Sequence, residues 1–347
     1  MEPAAVVVVT YNSARDVETC FGSLERALAG SPAVPIVAVD SGSSDDTPAR
    51  IARLFPRVEL IRLDGRPGFA RAANQGLALA MERGAEFVYL LNPDTEVAPD
   101  FLPRALEVAH REPRAAAVQS LLLLPPDGRT IDTAGNVLHF LGFGYCALHR
   151  RAAAEAPAGP AEIPFASGAG VLLRSEALRR VGLLDESFFL YCEDLDLGWR
   201  LRLAGERSYL APDSRVLHRH EFGRNPEKYF LLERNRWLTL LKNYSARSLL
   251  VLAPLLAANE LALLLLALAQ GWGGQKLRAW LAVFGGETRR SLAAGRRAAQ
   301  ALRRVPDREI ARAMTARMEF DGVETPLLRR FANPLLAPLW RLARALL

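Results

Sequence analysis

The sequence predicts an α/β fold built on a largely parallel sheet. Three observations predict it. Four short apolar, β-rich runs alternate with amphipathic stretches over residues 6–91, the rhythm of βαβ units. Three of those runs end in polar residues, where open parallel sheets bind their ligands. A chain of 347 residues, 50% hydrophobic, can also bury one large or two ordinary cores.

In order, 6–9 (four valines) reads as a strand and 14–28 as a helix. A strand at 36–39 leads through a Ser/Gly/Asp turn into a helix near 47–55, with Asp46 placed to cap it and Pro48 inside its first turn. A strand at 58–61, a helix at 70–83 and a strand at 87–91 follow. The stretch 125–165, rich in Pro, Gly and Ala, reads as loops and short strands over an acceptor site. A strand at 169–174, a helix at 193–204 and a strand end at 216–217 come next, and from about 229 the chain turns to long Leu/Ala/Arg-rich helical runs. This divides it into a domain at 1–240, with halves 1–100 and 101–240, and a helical region at 241–347.

Charge follows the same division. Residues 241–347 hold 17 Lys/Arg against 7 Asp/Glu, a net of +10 in a chain of +6, which leaves −4 for the first 240. An acidic front and a basic tail suit a catalytic domain followed by a surface-binding segment. Three cysteines without a CxxC pair argue against a disulfide framework or a zinc site and for a reducing compartment. No basic, apolar, cleavable leader opens the chain, so a cytosolic start is expected. The first strand is followed by Thr10-Tyr11-Asn12-Ser13-Ala14 with no glycine, which excludes a dinucleotide-binding GxGxxG.

The strand ends carry the chemistry. Thr10, Tyr11 and Asn12 follow the first strand, Asp40 closes the second, and Asn92-Pro93-Asp94 follows the fourth. Together they could hold a nucleotide-sugar: a carboxylate for a pyrimidine N3–H, hydroxyls and amides for the ribose, and a hard oxygen ligand for a diphosphate-bound cation. Asn92-Pro93-Asp94 alone would also suit a plain turn.

The order VVVTYN, VDSGSSDDT, GFARAANQGL, LLNPDTEV and FFLYCEDLDLGWRLRLAG resembles glycosyltransferase family 2, in particular its bacterial rhamnosyltransferase-like branch, over roughly residues 4–245. The resemblance implies the GT-A fold, a Rossmann-like mixed sheet, and an inverting transfer. By position it implies that Thr10, Tyr11 and Asn12 line the base and ribose, that Asp40 reads the pyrimidine and that Asn74 borders the nucleotide. Asn92 and Asp94 take the place of the DXD motif, with Asn for its first Asp and Asp94 as ligand to Mg²⁺ or Mn²⁺. His218 helps hold the metal or diphosphate, with His220 as rival.

An inverting transfer needs a carboxylate to take the acceptor proton. In Glu193-Asp194-Leu195-Asp196, Asp196 stands four residues before Arg200 and is expected to pair with it. Asp194 faces elsewhere, with Gly198 one turn on leaving room for a ligand, and the family pattern also makes the Asp of ED the base. Glu193 is then an acceptor contact. A solvated acidic helix start is the plainer reading. Gly168 and Gly170 suggest an acceptor-site floor or a plain bulge. Glu233–Trp237 is similar to the QxxRW motif of processive polysaccharide synthases, with Arg236 at the diphosphate and Trp237 an interfacial anchor.

Residues 249–269 could cross a bilayer by length, but they include Pro254 and Asn259-Glu260, and crossing would put the Arg-rich tail outside. An in-plane or re-entrant hairpin with 277–284, basic residues on anionic lipid, is expected; a buried helical domain or a homo-oligomer interface is the other reading. The expected function is transfer of a sugar, with the branch favouring rhamnose, from a UDP- or dTDP-sugar to a cell-envelope glycan or lipid-linked acceptor at the cytoplasmic face of the membrane, with no nucleic-acid partner. A processive synthase and a non-catalytic nucleotide-sugar-binding protein are the alternatives.

Overall fold

The computed structural model describes residues 3–30, 34–219, 226–318 and 333–347. The chain divides into two compact units, one of 1–136, 146–201 and 206–222, the other of 137–145, 202–205 and 223–347.

The first unit opens with β1 (Ala4–Thr10), α1 (Val17–Leu28), β2 (Ile36–Asp40), α2 (Thr47–Leu54), β3 (Glu59–Arg62), α3 (Phe69–Glu82) and β4 (Phe87–Leu91). β1 and β4 are buried along their whole length, as parallel strands covered on both faces must be. α1 buries Val17, Cys20, Phe21, Leu24 and Leu28, one helical stripe. It starts later than predicted because Ser13–Asp16 close a turn first, Asp16 N–H donating to the Ser13 carbonyl. At α2 the cap passes from Asp46 to its neighbour: Asp45 accepts from Thr47 N–H and Oγ1 at 3.0 and 2.6 Å, while Asp46 pairs with Arg50.

The chain continues through β5 (Thr95–Val97), α4 (Phe101–Arg111), β6 (Ala115–Leu124) and β7 (Thr130–Thr133). A hairpin of β8 (Asn136–His139) and β9 (Gly144–Cys146) follows, its core at 137–145 belonging to the second unit. β10 (Ala161–Ile163), β11 (Gly170–Arg174), α5 (Ser175–Val181), α6 (Glu193–Leu203) and β12 (Arg207–His218) complete this part. α4, β6 and α5 were not predicted, and β12 is a full strand where only its end was expected.

The sheet order is β10-β12-β6-β11-β4-β1-β2-β3, with β5 on β12 and β7 on β6. β4, β1, β2 and β3 are parallel. β11 runs against both β4 and β6, and β12 runs along β6. The carboxyl ends of β1, β2, β4 and β12 and the amino end of β11 therefore share one rim. A mixed sheet thus gathers residues from five strands where a parallel sheet would place its ligand.

The second unit is helical: α7 (Pro226–Asn243), α8 (Ala246–Ala269), α9 (Gly273–Phe284), α10 (Gly286–Ala301), α11 (Asp307–Ile310), the short β13 (Met314–Thr315) beside β8, and α12 (Asn333–Leu346). Ser245 caps α8 by accepting Ser248 N–H. Four charges meet inside this unit: Glu233 and Arg236 on α7, Glu260 on α8 and Lys276 on α9. Trp237 and Trp280 also donate to Glu260, at 3.2 and 2.7 Å. Burial alone would favour protonated Glu260, but Arg236 and Lys276 outweigh it and hold the carboxyl at about 2. The polar centre of the most apolar helix is thus neutralised by its neighbours.

Candidate active site

At the rim, β1 and β2 set Thr10 opposite Asp40. Thr10 Oγ1 donates to Asp40 Oδ1 at 3.0 Å, Ser43 Oγ to the same oxygen at 2.6 Å, and Ser43 N–H to Oδ2 at 3.0 Å. Asp40 is buried and holds the loop after β2, with one lone pair of Oδ2 left for a further donor. Thr10 is fully buried, with its hydroxyl committed to Asp40. Asn12 also serves the loop: its N–H donates to Ser43 Oγ at 2.8 Å and its Oδ1 accepts Ser44 N–H at 2.9 Å. Tyr11 is exposed, with the Arg66 guanidinium 4.3 Å from its ring centre. Arg66 had no motif to reveal it.

Asn74, expected to border the nucleotide, is committed to the loop after α5. Its Nδ2 donates to the Leu184 carbonyl at 2.8 Å and to Glu186 Oε1 at 3.1 Å, and its Oδ1 accepts Leu184 N–H at 3.0 Å. Both ends of the amide are used to clamp the loop that leads to the Glu193-Asp194 pair.

Asp94 lies in the turn between β4 and β5, and β12 brings His218 opposite Thr95. His218 Nε2 faces Asp94 Oδ1 at 3.5 Å, and Nδ1 lies 2.7 Å from Asp132 Oδ2. A carboxylate can only accept, so Nδ1 carries a proton, and Nε2 is the ring atom turned toward Asp94. Burial opposes a proton there, but hydrogen bonds to Asp132 and Asp94 prevail and push His218 up to about 9. An imidazole and a carboxylate arranged this way fit Mn²⁺ or Mg²⁺. Asn92 is tied by its backbone, N–H donating to the Ala169 carbonyl at 3.1 Å and carbonyl accepting Thr95 Oγ1 at 2.6 Å. His220 lies outside the described residues.

One strand over, Gly168 N–H donates to Asp194 Oδ2 at 3.3 Å and Leu195 N–H to Oδ1 at 2.7 Å. The Asn92–Ala169 and Gly168–Asp194 bonds thus connect the Asp94 turn to Asp194 through the consecutive residues Ala169 and Gly168. Asp194 is raised, chiefly by desolvation. Glu193 is buried and pushed up to about 8 by desolvation and then by the neighbouring Asp194 charge. Its Oε2 has no hydrogen-bond partner among the described residues. Asp196 pairs with Arg200 at 2.8 Å as expected, and Arg200 also donates to the carbonyls of Val181, Gly182 and Leu183.

The approach to the pair is backbone-strained. Phe189, Tyr191 and Cys192 have φ of 65°, 70° and 66°. Phe189, with ψ −61° and a Leu190 N–H to Phe188 carbonyl bond of 2.7 Å, centres the rarer γ-turn. Gly68 abuts it, a Cβ there standing 2.5 Å from the Phe189 ring.

Three further expectations are corrected. A Cβ at Gly170 would meet Leu122 at 3.0 Å and Tyr89 at 3.3 Å, so this glycine packs within the sheet and makes no acceptor floor. The space beside Gly198 is filled by Phe165, 2.2 Å from a Cβ there. Asp194, Gly168 and Gly198 border a small cavity of about 20 Å³ with mostly apolar walls. Arg236 is buried inside the helical unit, bound to Glu233, Glu260 and the Leu141 carbonyl, and is not free to meet a diphosphate.

The family model for glycosyl transferase family 2 matches residues 5–182. An N-acetylglucosaminyl-diphospho-decaprenol L-rhamnosyltransferase of Mycobacterium tuberculosis (strain ATCC 25618 / H37Rv) is 31% identical over 250 residues, covering 65% of this chain and 79% of that protein. Among solved structures, GalNAc-T7 with UDP, GalNAc and Mn²⁺ superposes with a TM-score of 0.59 at 15% identity, over 73% of this chain and 51% of that one. The mannosyltransferase PcManGT of Pyrobaculum calidifontis, in complex with GDP-Man and Mn²⁺, gives 0.51 at 19%, over 86% of each. These likenesses show the GT-A fold.

Proposed function

Because the chain belongs to glycosyl transferase family 2 and is therefore an inverting glycosyltransferase, we propose that it moves a rhamnosyl or related hexosyl unit from a UDP- or dTDP-sugar to a lipid-linked glycan, with Asp194 as base and Asp94 and His218 at the metal. The carrying observation is the chain of hydrogen bonds that ties the Asp94 turn after β4 to Asp194 at the start of α6 through Ala169 and Gly168.

In the reaction, Asp194 takes the proton of the acceptor hydroxyl. That oxygen forms the new bond to C1, and the bond from C1 to the diphosphate breaks on the opposite face, inverting the centre. Glu193, with its free Oε2 beside Asp194, accepts a hydrogen bond from a second acceptor hydroxyl. Tyr11 and Arg66 hold the base and diphosphate side, and Asp40 offers its last lone pair to a pyrimidine N3–H. A divalent cation held by Asp94 and His218 would neutralise charge on the departing diphosphate.

The test is turnover of UDP-, dTDP- and GDP-sugars with and without Mn²⁺ or Mg²⁺, on an N-acetylglucosaminyl-diphospho-lipid acceptor. Metal-dependent transfer with inverted configuration at C1 is expected. If no nucleotide sugar is consumed or bound, the proposal fails.

The helical unit supports membrane association. α8 is long and apolar enough to cross a bilayer by length and composition. With its Glu260 neutralised by Arg236 and Lys276, burial of that residue no longer counts against contact with lipid. Leu261, Leu265 and Leu268 on α8, Leu277, Leu281 and Phe284 on α9, and Leu335, Leu339, Leu342 and Leu346 on α12 form three exposed rows at helical spacing. Trp340 on the opposite side of α12 stacks on Phe140 at 4.5 Å, so that helix is anchored with its leucines outward. Exposed Arg341 and Arg344 would meet anionic headgroups. The unit is proposed to lie in the interface at the cytoplasmic face.

Each leucine withdrawn from water adds about 1.5–3 kcal/mol. Replacing Leu281, Phe284 and Leu342 by Ser together should lower binding to anionic vesicles at least about tenfold in co-sedimentation. Unchanged binding would remove the membrane assignment.

A further inference from the structure

We propose that Asp132 is a positioning residue for metal binding, holding His218 in the tautomer and ring orientation that present Nε2 to a cation beside Asp94. This rests on the reading of Asp94 and His218 as a metal pair. Asp132 sits on β7, in a stretch whose sequence showed only loops and short strands. β7 and β12 flank the end of β6, with Leu123 opposite Ile131 on one side and Leu217 on the other. Asp132 and His218 reach over β6 from its two flanks and meet at 2.7 Å, both buried.

The bond does two things to the imidazole. It keeps a proton on Nδ1, so that Nε2 is the nitrogen a cation can take over, and it stops the ring from turning about its χ2. Asp132 is itself steadied from behind, since His149 Nδ1 lies 2.7 Å from its carbonyl and 3.3 Å from its Oδ1. A bond serving stability alone would not need a second carboxylate facing the other ring nitrogen, and Asp94 is there at 3.5 Å.

The test measures Mn²⁺ affinity by electron paramagnetic resonance in the presence of UDP or dTDP, for wild type, Asp132→Asn, His218→Ala and the double variant, with UDP and dTDP affinity and thermal melting measured without metal. Asp132→Asn keeps the shape of the side chain and should weaken Mn²⁺ by about 10–100-fold, with metal-free nucleotide affinity unchanged. In the His218→Ala background it should add less than about twofold, because its effect passes through that ring. His149→Gln, which loosens Asp132 without touching His218, should give a smaller loss in the same direction and serves if Asp132→Asn does not fold.

Wild-type Mn²⁺ affinity in Asp132→Asn, or additive losses in the double variant, overturns the proposal alone. A wild type that binds no Mn²⁺ overturns the metal reading together with it. Asp132, Cys146 and His149 also bring ligand atoms within 4.8 Å of one another. Cys146→Ser should therefore bind Mn²⁺ like wild type, and a loss there would mean that the ion counted sits at that group, against the proposal.

Discussion

Replacing Asp194 with Asn should lower kcat by about 10²–10⁴-fold, the range expected when a positioned general base is removed. Donor affinity should stay within about twofold of wild type, since the amide keeps the shape and its one oxygen can still accept the shorter Leu195 N–H bond, with only the longer Gly168 contact given up. A parallel loss of donor binding would instead mark Asp194 as part of the nucleotide pocket. The pH profile should carry the same signature. Asp194 and Glu193 are both raised by desolvation, Glu193 to about 8 with the neighbouring Asp194 charge adding to it, so they titrate as a pair. The base works only when ionised, so kcat/KM should fall as pH drops, with its acid limb above the usual carboxylate range. Stability should move the other way. Carboxyls raised by folding bind protons more tightly in the folded state, so their contribution is lost as pH rises toward the Glu193 value near 8. In Asp194→Asn the neighbouring charge is gone, and Glu193 should titrate lower. A kcat/KM profile with an acid limb at ordinary carboxylate pH would remove Asp194 as the base.

Asp94→Ala should lower kcat/KM by several kcal/mol of transition-state stabilisation, on the order of 10²–10³-fold or more. It should also abolish the strengthening of UDP or dTDP binding by Mn²⁺, while metal-free nucleotide affinity remains. The two readouts separate the cation's ligand from a general contact with the donor. Calorimetric titration of nucleotide with and without Mn²⁺ checks it. A variant whose nucleotide binding still responds to Mn²⁺ would show that Asp94 does not hold the ion.

The nucleotide half was legible because its strands are continuous apolar runs that end abruptly. Val6 to Thr10 and Phe87 to Leu91 announce both the strand and the rim. β6 was illegible for the opposite reason. It opens with Ala115-Ala116-Ala117, strong helix formers, and is a strand only because β11 and β12 pair with it on both sides. In the site, the acids were found because chemistry restricts them to Asp and Glu near a strand or helix end. The partners of Asn74 and Thr10 were not legible because a sequence gives a side chain's address but not what it meets. Asn74 meets a loop 110 positions away. Asp132 and Arg66 had no local signal. Their meaning arises only where β7 comes alongside β6, or where a guanidinium settles on Tyr11. Arg236 drew attention through a motif, and the structure uses it to balance Glu233 and Glu260.

The run from Phe189 to Cys192 has an evolutionary corollary. Three side-chain-bearing residues occupy backbone conformations that glycine would adopt at less cost, immediately before the pair assigned to proton transfer. Drift toward glycine at 189, 191 or 192 would relax the fold while loosening the chain that leads into α6. Thermal robustness and turnover therefore reward different residues at the same sites, and stabilising this enzyme by selection on melting temperature alone would erode its activity here first.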